Sequence, residues 1–233
     1  MYIKGFQKLS LVDYDGYISC TIFLGGCNFR CPFCHNSALV TGLDENNSNN
    51  EYISLESILS YLDKRKGIIQ AVCVTGGEPT INQDLKEMLL EIKKRGYFIK
   101  LDTNGTNYMM LKDLLEEKIV DYVAMDVKNS LNKYNLTTNS NIDINIIKQT
   151  IDFFINSDYD YEFRTTLVEE FHNEEDIQEM ASLLKGAKKI FLQKFINSEN
   201  CIDKSLHEVC FDKATKYKDI LNKTIKNVNL RGY

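Results

Sequence analysis

The chain has 233 residues, of which 43% are hydrophobic and 26% are charged. These proportions are typical of a globular protein and exclude a disordered or fibrous chain. A formal net charge of −5 provides no general attraction for phosphates, so we expect no nucleic-acid partner. The length fits one large domain over residues 1–233 better than two ordinary domains.

Targeting signals and cysteine content bear on the compartment. The first 14 residues hold no continuous apolar run like that of a signal peptide, and no stretch approaches the roughly 20 apolar residues of a membrane span. We therefore expect a cytoplasmic protein with no membrane partner. Three of the seven cysteines crowd between positions 27 and 34, where disulfides between them would be strained. In a reducing compartment such crowding indicates a metal site.

Apolar runs and helical periodicity alternate along the chain. Buried strands are predicted at residues 17–24, 68–75, 97–101, 122–125, 161–167 and 189–193. Helices are predicted between them: one from the N-cap Ser54 to Gly67, one with Leu85, Met88, Leu89 and Ile92 on a single stripe, and others at 110–118, 146–156 and 174–184. The polar stretch 44–51 is predicted to be a solvated loop.

The last segment departs from this alternation. Beyond a core of about residues 16–195, a C-terminal extension of about 196–233 is predicted as irregular chain, a helix near 204–221 and an extended piece at 226–230. Nothing in it indicates a second domain.

Regular alternation of strands and helices predicts an α/β fold. Parallel strands joined by right-handed helical crossovers either curl toward a barrel or spread into a doubly wound sheet, and about six repeats fit both. In either case the loops after the carboxyl ends of the strands form the functional face. Candidate residues should therefore lie there.

The segment GGCNFRCPFCHN, residues 25–36, carries the central motif: Cys27, Cys31 and Cys34 in Cys-x3-Cys-x2-Cys spacing. Three thiolates in one loop can bind three irons of a [4Fe-4S] cubane and leave the fourth iron without a protein ligand. An open iron suits a substrate or cofactor, whereas a cluster that only relays electrons normally has complete protein ligation.

The cysteines also allow two interpretations other than a cluster: a structural zinc site and unligated thiols. A structural zinc site would use Cys27, Cys31, Cys34 and His35, but zinc ligands usually come as two separated pairs, and adjacent ligands point poorly at one tetrahedral ion. Cys20 and Cys73 lie inside predicted strands, so we expect unligated core thiols there. Cys201 and Cys210 are either core or surface thiols.

Further polar residues follow the later strands. Gly76 and Gly77 allow close backbone approach or conformations closed to other residues, although an ordinary turn would use the same letters. Asp102 and Asp126 can accept hydrogen bonds from ribose hydroxyls or bind a hard cation through oxygen. Lys128 and Arg164 can bind a carboxylate. The predicted cofactor-binding set is Gly76, Gly77, Glu78, Pro79, Asp102, Asn104, Asp126, Lys128, Arg164 and Gln193.

Structural roles compete with these predictions. Salt bridges within the fold are an alternative for Asp102, Asp126, Lys128 and Arg164. His172 follows the fifth predicted strand and is either a pocket acid or base or, more simply, a capping or surface histidine.

The cysteine spacing and the GGEP segment resemble those of the radical S-adenosylmethionine superfamily. The resemblance implies a partial (β/α)6 TIM-like barrel, and it implies that the amino and carboxylate groups of S-adenosyl-L-methionine bind the open iron. One electron from the reduced cluster then cleaves the sulfonium, giving methionine and a 5′-deoxyadenosyl radical. The match of Gly76 to Pro79 implies contact with the methionine ammonium.

A closer resemblance is to activating enzymes of glycyl-radical enzymes. DTNG and the D-x-K segment resemble these enzymes, in some of which aspartates form a monovalent-cation site, here Asp102 and Asp126. The segments GFQKLSLVDYDGYISCTIFLGGCNFRCPFCHN, TGGEPT, LDTNG, DYVAMDVKNSLNKY, EFRTTLV and LRG resemble anaerobic ribonucleoside-triphosphate reductase activating proteins. This implies an anaerobic ribonucleotide reductase as glycyl-radical partner and a low-potential electron donor such as flavodoxin or ferredoxin.

Two rival functions stay open at this point. One is a radical S-adenosylmethionine enzyme that acts on a small molecule such as a 7-deazapurine precursor. The other is a metal-binding module without catalysis.

Overall fold

Alternating strands and helices make up the computed structural model, which describes residues 2–41 and 52–233. The strands are β1 (Ile3–Ser10), β2 (Ser19–Leu24), β3 (Ala71–Gly76), β4 (Phe98–Thr103), β5 (Tyr122–Asp126), β6 (Tyr161–Leu167), β7 (Ile190–Lys194) and β8 (Val228–Arg231). The helices are α1 (Ser37–Thr41), α2 (Leu55–Lys64), α3 (Leu85–Lys93), α4 (Tyr108–Glu116), α5 (Tyr134–Thr138), α6 (Ile144–Ile155), α7 (Glu174–Leu183) and α8 (Phe211–Leu221). The solvated loop predicted at 44–51 lies outside the described residues.

The strands form one eight-stranded sheet in chain order, from β1 to β8. β1 pairs antiparallel with β2, whereas β2 with β3, β3 with β4, β6 with β7 and β7 with β8 pair in parallel. Six strands, β2 to β7, are each followed by a helix, so the predicted α/β repeat is confirmed. β1 was not predicted, because most of its side chains are half-buried or exposed and its apolar signal is weak.

The chain divides into two compact units, and each is described by itself. The first comprises Met1–Asn28, Ala38–Thr103 and Met109–Val123, and the second comprises Phe29–Ser37, Asn104–Tyr108 and Ala124–Tyr233. Among the described residues, none of the helices combines the length and the apolar character that a membrane crossing requires.

The first unit is organised by the register of β2 and β3. Cys20 lies beside Val72 and Leu24 beside Gly76, so both strands end at the same edge of the sheet. The four apolar residues of the predicted α3 stripe are fully buried. Ser54 caps α2 as predicted, with its hydroxyl oxygen accepting from the amide of Ser57. The helix ends at Lys64, before Gly67, which adopts a positive φ in the following turn.

The second unit includes the C-terminal extension. Its last piece, predicted as extended, is strand β8, which pairs in parallel with β7. The predicted helix near 204–221 begins later, at Phe211, because residues 196–210 show no helical periodicity. α7 begins with a capping box, in which the side chains of Asn173 and Asp176 each accept a hydrogen bond from the backbone amide of the other residue.

This capping box yields a stability prediction. Replacing Asn173 by Ala removes the acceptor for the Asp176 amide, so we expect the free energy of unfolding to fall by about 1 kcal/mol. Urea unfolding of the apo protein measures the change. Asn222→Ala is the matched control, because Asn222 is exposed at the end of α8 and adopts a helical conformation that alanine also favours. Equal stability of the two variants would contradict the prediction.

Candidate active site

In the first unit, the loop after β3 packs directly on the loop after β2. The amide of Gly77 donates to the Leu24 carbonyl at 2.9 Å, and the amide of Glu78 donates to the Gly26 carbonyl at 2.7 Å. A Cβ atom on Gly76 would lie 2.1 Å from the Leu24 oxygen, and one on Gly77 would lie 1.9 Å from the Gly26 oxygen. Gly76 also has φ +131°, which side chains rarely adopt. The glycine pair therefore brings the GGEP loop against the backbone that leads into Cys27.

Glu78 is buried, and one of its carboxylate oxygens holds this loop together. Oε1 accepts from the Thr80 amide at 3.0 Å, the Thr80 hydroxyl at 2.6 Å and the Thr103 hydroxyl at 2.8 Å. Thr103 is the last residue of β4, so the carboxylate connects the loop after β3 to the end of the next strand. Pro79 is buried beside it and opens a short 3-10 turn, Pro79–Ile81. The hydrogen bonds give Glu78 a structural role; contact with a cofactor stays a prediction.

Asp102 lies near the carboxyl end of β4 and is mostly shielded from solvent. The Lys100 ammonium lies 3.7 Å from its carboxylate and donates to the Asp13 carbonyl at 2.5 Å. This ion pair fits the salt-bridge alternative for Asp102.

In the second unit, the segment 29–37 carries Cys31 and Cys34 and is held by its neighbours. We call this segment the cysteine loop. The Arg30 amide donates to the Thr138 carbonyl at 2.9 Å. Phe33, between the two cysteines, is buried with its ring 5.9 Å from that of Phe171. Cys31 is also buried, while Cys34 is half-buried.

Asp126, Lys128 and Arg164 form an ion network at the ends of β5 and β6. The two oxygens of Asp126 accept separately from the Lys128 ammonium and from Nε of Arg164, both at 2.9 Å. Burial raises the pKa of Asp126, but the two cations outweigh it and lower the pKa from 3.8 to about 2. Burial opposes the charge on Lys128, but Asp126 and Cys31 raise its pKa above the ordinary value.

The ion network shows what the charged side chains predicted at these strand ends bind. Lys128 and Arg164 were predicted to bind a carboxylate, and within the described residues that carboxylate is Asp126. The contacts fit the salt-bridge alternative for all three side chains, and they offer no support for a monovalent cation on Asp126. Lys128 also interacts electrostatically with Cys31. Cysteine binds iron as a thiolate, which a neighbouring cation stabilises.

His172 contacts the backbone of the ion network at Lys128. It is fully buried; Nδ1 lies 3.1 Å from the Val168 amide and Nε2 lies 3.0 Å from the Lys128 carbonyl. In the tautomer with a proton on Nε2, Nδ1 accepts from Val168 and Nε2 donates to Lys128. Burial lowers the pKa of His172, so the ring is neutral. These contacts favour a structural role over an acid or base, and periodicity along the sequence could not reveal them.

The remaining candidates are Asn104 and Gln193. Asn104 is buried and accepts from the amide and hydroxyl of Thr106, which closes its own turn. Gln193 is half-buried on β7, beside Thr166 of β6 and Arg231 of β8. Both stay predicted cofactor contacts.

The core thiols predicted at Cys20 and Cys73 are confirmed. Both side chains are buried, and burial raises the pKa of each to about 12. Cys201 is buried as well, while Cys210 is exposed.

Three cysteines are chemically suited to an iron–sulfur cluster, whose protein ligands are thiolates. Within residues 2–41 and 52–233, no three His, Cys, Asp or Glu side chains are placed around one ion. On a cubane each thiolate binds a different iron, so the cysteines need not converge on one point. The Lys128 ammonium lies 5.9 Å from the centre of the Phe33 ring, between Cys31 and Cys34 in the sequence, and so places positive charge near this loop.

Gly77 provides a prediction about the site. Because a Cβ atom there would strike the Gly26 carbonyl and lie 3.2 Å from the Cys27 Cβ, Gly77→Ala should displace the loop that carries Cys27. We expect a loss of about 3 kcal/mol in unfolding free energy and a reduced iron content after anaerobic reconstitution. The control is Gly16→Ala, which adds only the backbone strain of φ +84° in open space, about 1 kcal/mol. Normal iron content in Gly77→Ala would contradict this geometry.

Asp126 provides a prediction about pH. Its pKa of about 2 lies below the ordinary 3.8, so the carboxylate stabilises the fold above about pH 4, and this contribution is lost as pH falls through 2. Asp126→Asn should lower apo-protein stability at pH 7 by on the order of 2 kcal/mol, with the difference from wild type shrinking toward pH 2. Urea unfolding across this range measures it. Asp152→Asn, which removes an exposed ion pair with Lys148, should show little difference at any pH.

The chain is similar in sequence to a known superfamily and to a full-length relative. The sequence of residues 21–184 matches the Radical SAM superfamily. A protein of Methanocaldococcus jannaschii named "putative glycyl-radical enzyme activating enzyme" is 31% identical over 237 aligned positions, covering 98% of this chain and 95% of that protein.

Two solved structures share the fold. A domain of pyruvate-formate lyase-activating enzyme from Bacteroides vulgatus aligns with TM-score 0.57 and 16% identity, covering 70% of this chain and 99% of that one. Streptococcus suis SuiB bound to S-adenosylmethionine aligns with TM-score 0.68 and 11% identity over 91% of this chain, which spans about half, 52%, of the SuiB chain. These likenesses confirm the predicted fold class, a partial (β/α)6 TIM-like barrel.

A superfamily match over most of the chain, joined to a full-length relative above 30% identity, determines the family and implies a [4Fe-4S] cluster and S-adenosylmethionine. The chain belongs to the radical SAM superfamily.

Proposed function

We propose that this enzyme activates a glycyl-radical enzyme by generating the glycyl radical on it. The observation that carries the proposal is the full-length similarity to a relative named for that activity, which covers 98% of this chain and 95% of the relative. Similarity limited to the cluster-binding region would have supported radical chemistry alone. The fold shared with a pyruvate-formate lyase-activating enzyme domain agrees with the proposal.

In this proposal, Cys27, Cys31 and Cys34 hold the [4Fe-4S] cluster. When bound, the cluster and S-adenosylmethionine would supply one-electron cleavage of the C–S bond to methionine and a 5′-deoxyadenosyl radical able to accept a hydrogen atom from a glycine Cα. The electron comes from a low-potential donor such as flavodoxin or ferredoxin. The cluster needs three thiolates, and the Lys128 ammonium, 5.9 Å from the Phe33 ring between Cys31 and Cys34, supplies a positive charge that favours the thiolate form of the loop's cysteines.

The chain's other residues position the ligands. Gly76 and Gly77 hold the GGEP loop against the backbone before Cys27, and Glu78 fixes that loop through Thr80 and Thr103. Their contact with the methionine moiety belongs to the proposal, as do contacts of Asn104, Asp102 and Gln193 with the cofactor.

The ion network contributes fixed charge in the second unit. Asp126 accepts from both cations at 2.9 Å, so Lys128 and Arg164 have little freedom to move, and the three groups together carry one net positive charge. Pairing of this kind limits the reorganisation that a site must undergo during a reaction. A monovalent cation near Asp102 and Asp126 stays a prediction without support from these contacts.

We propose an anaerobic ribonucleotide reductase as the partner. Support comes from the sequence segments that resemble its activating proteins, LDTNG, DYVAMDVKNSLNKY and the final LRG among them. The glycine to be activated lies in another protein, so the substrate is a peptide backbone rather than a small metabolite.

The test uses reconstituted enzyme, dithionite, S-adenosylmethionine and a candidate anaerobic reductase. We expect a glycyl doublet in the electron paramagnetic resonance spectrum, with 5′-deoxyadenosine formed in proportion. Cys31→Ala should abolish both signals because it removes a proposed ligand. Cys73→Ala is the matched control, since it removes an equally buried thiol inside β3 and should retain both.

The rival functions give different results. If a small molecule accelerates cleavage of S-adenosylmethionine and no reductase yields a protein radical, the enzyme acts on a small molecule. If reconstitution gives colourless zinc protein and no cleavage, the chain is a metal-binding module. Either outcome overturns the proposal.

A further inference from the structure

Residues 195–203 form an irregular segment between β7 and α8, which we call the C-terminal strap. The strap is fixed by hydrogen bonds, within itself and to the residues that follow it, although it has no regular secondary structure. The Cys201 amide donates to the Ser198 carbonyl at 3.0 Å, and the side-chain amide of Asn197 donates to the carbonyls of Lys204 at 2.7 Å and Leu206 at 3.0 Å. The strap is therefore a defined surface rather than loose chain.

Two hydrogen bonds join the strap to the cysteine loop. The Asp203 amide donates to the Pro32 carbonyl at 2.8 Å, and the Ser37 hydroxyl donates to the Asn200 carbonyl at 2.5 Å. Pro32 and Ser37 lie on opposite sides of Cys34 in the sequence. The strap thus holds the cysteine loop on both sides of one predicted ligand.

Between these bonds, His35 faces a buried thiol of the strap. Cys201 is only 4% exposed, and its Sγ lies 3.9 Å from Nδ1 of His35. The His35 ring also packs on Phe195, with 5.5 Å between the ring centroids. The residue directly after Cys34 is therefore packed against two residues of the strap, Phe195 and Cys201.

A short loop that carries cluster ligands gains little order from its own backbone. Fixing each of its residues costs conformational entropy, which the neighbouring chain must offset. In metal sites, outer contacts that orient the ligands commonly change metal affinity by 10- to 100-fold. The strap makes contacts of this kind with residues on either side of Cys34.

We propose that the C-terminal strap is a positioning element for the iron–sulfur cluster, in which Cys201 acts through His35 and is not itself a ligand. The proposal rests on membership of the superfamily and not on the identity of the partner. It assigns a function to the C-terminal extension, which follows the part of the chain that matches the superfamily, residues 21–184.

The test compares Cys201→Ala with Cys210→Ala. Both remove a thiol from the C-terminal extension, but Cys210 is exposed and its side chain does not cap α8. Each protein is reconstituted anaerobically, its iron and sulfide are counted, and the rate of iron loss to a ferrous chelator is followed optically. We expect Cys201→Ala to assemble a cluster and lose iron about tenfold faster than wild type, and Cys210→Ala to match wild type.

A second variant separates positioning from folding. Ser37→Ala removes one side-chain hydrogen bond, to the Asn200 carbonyl, from a half-buried position, so the apo protein should unfold at nearly the same urea concentration as wild type while iron loss accelerates about threefold. Rates within twofold of wild type for both variants would overturn the proposal. It is also overturned if Cys201→Ala holds no cluster while Ser37→Ala is normal, since Cys201 would then be a ligand. These readouts need no partner protein, so they do not depend on the proposed function.

Discussion

The close approach of two loops constrains the first unit. Gly76 and Gly77 sit so near the carbonyls of Leu24 and Gly26 that any side chain would overlap backbone atoms. Parallel pairing of β2 with β3 brings these loops to one edge, and the absence of two β-carbons allows them to touch. The backbone entering Cys27 is consequently shaped by the GGEP loop. The GGEP loop and the segment that leads into the first cysteine of the motif are thereby joined through main-chain hydrogen bonds.

In the second unit, charge pairing has a comparable organising role. Asp126 accepts from both Lys128 and Arg164, while His172 holds the Lys128 carbonyl from the buried side. Each of these groups would be costly to bury alone, and together they satisfy one another. The cysteine loop then packs on this region through Phe33 and is joined by the C-terminal strap.

Much of the site could be predicted from local patterns. Cysteine spacing predicts cluster chemistry because the three candidate ligands lie in one short segment. Helical periodicity identified α3 and its four buried residues, and the N-cap at Ser54 marked the start of α2. Boundaries were less accurate: α8 begins at Phe211 rather than near residue 204, and β1 was not predicted because an edge strand with few buried side chains has weak apolar alternation.

The sequence by itself determined the cysteine motif, the α/β repeat and the set of polar residues at strand ends, since each depends on neighbours a few positions apart. Only the tertiary structure decided which groups pair. Arg164 pairs with Asp126, which lies 38 positions away in the sequence, and the Thr103 hydroxyl donates to Glu78. Cys201 contacts His35 across 166 positions. Such contacts arise from strand register and loop packing, which no local pattern encodes. For that reason the class of chemistry could be predicted from the sequence, whereas the contacts that hold the candidate site residues in place could be found only in the tertiary structure.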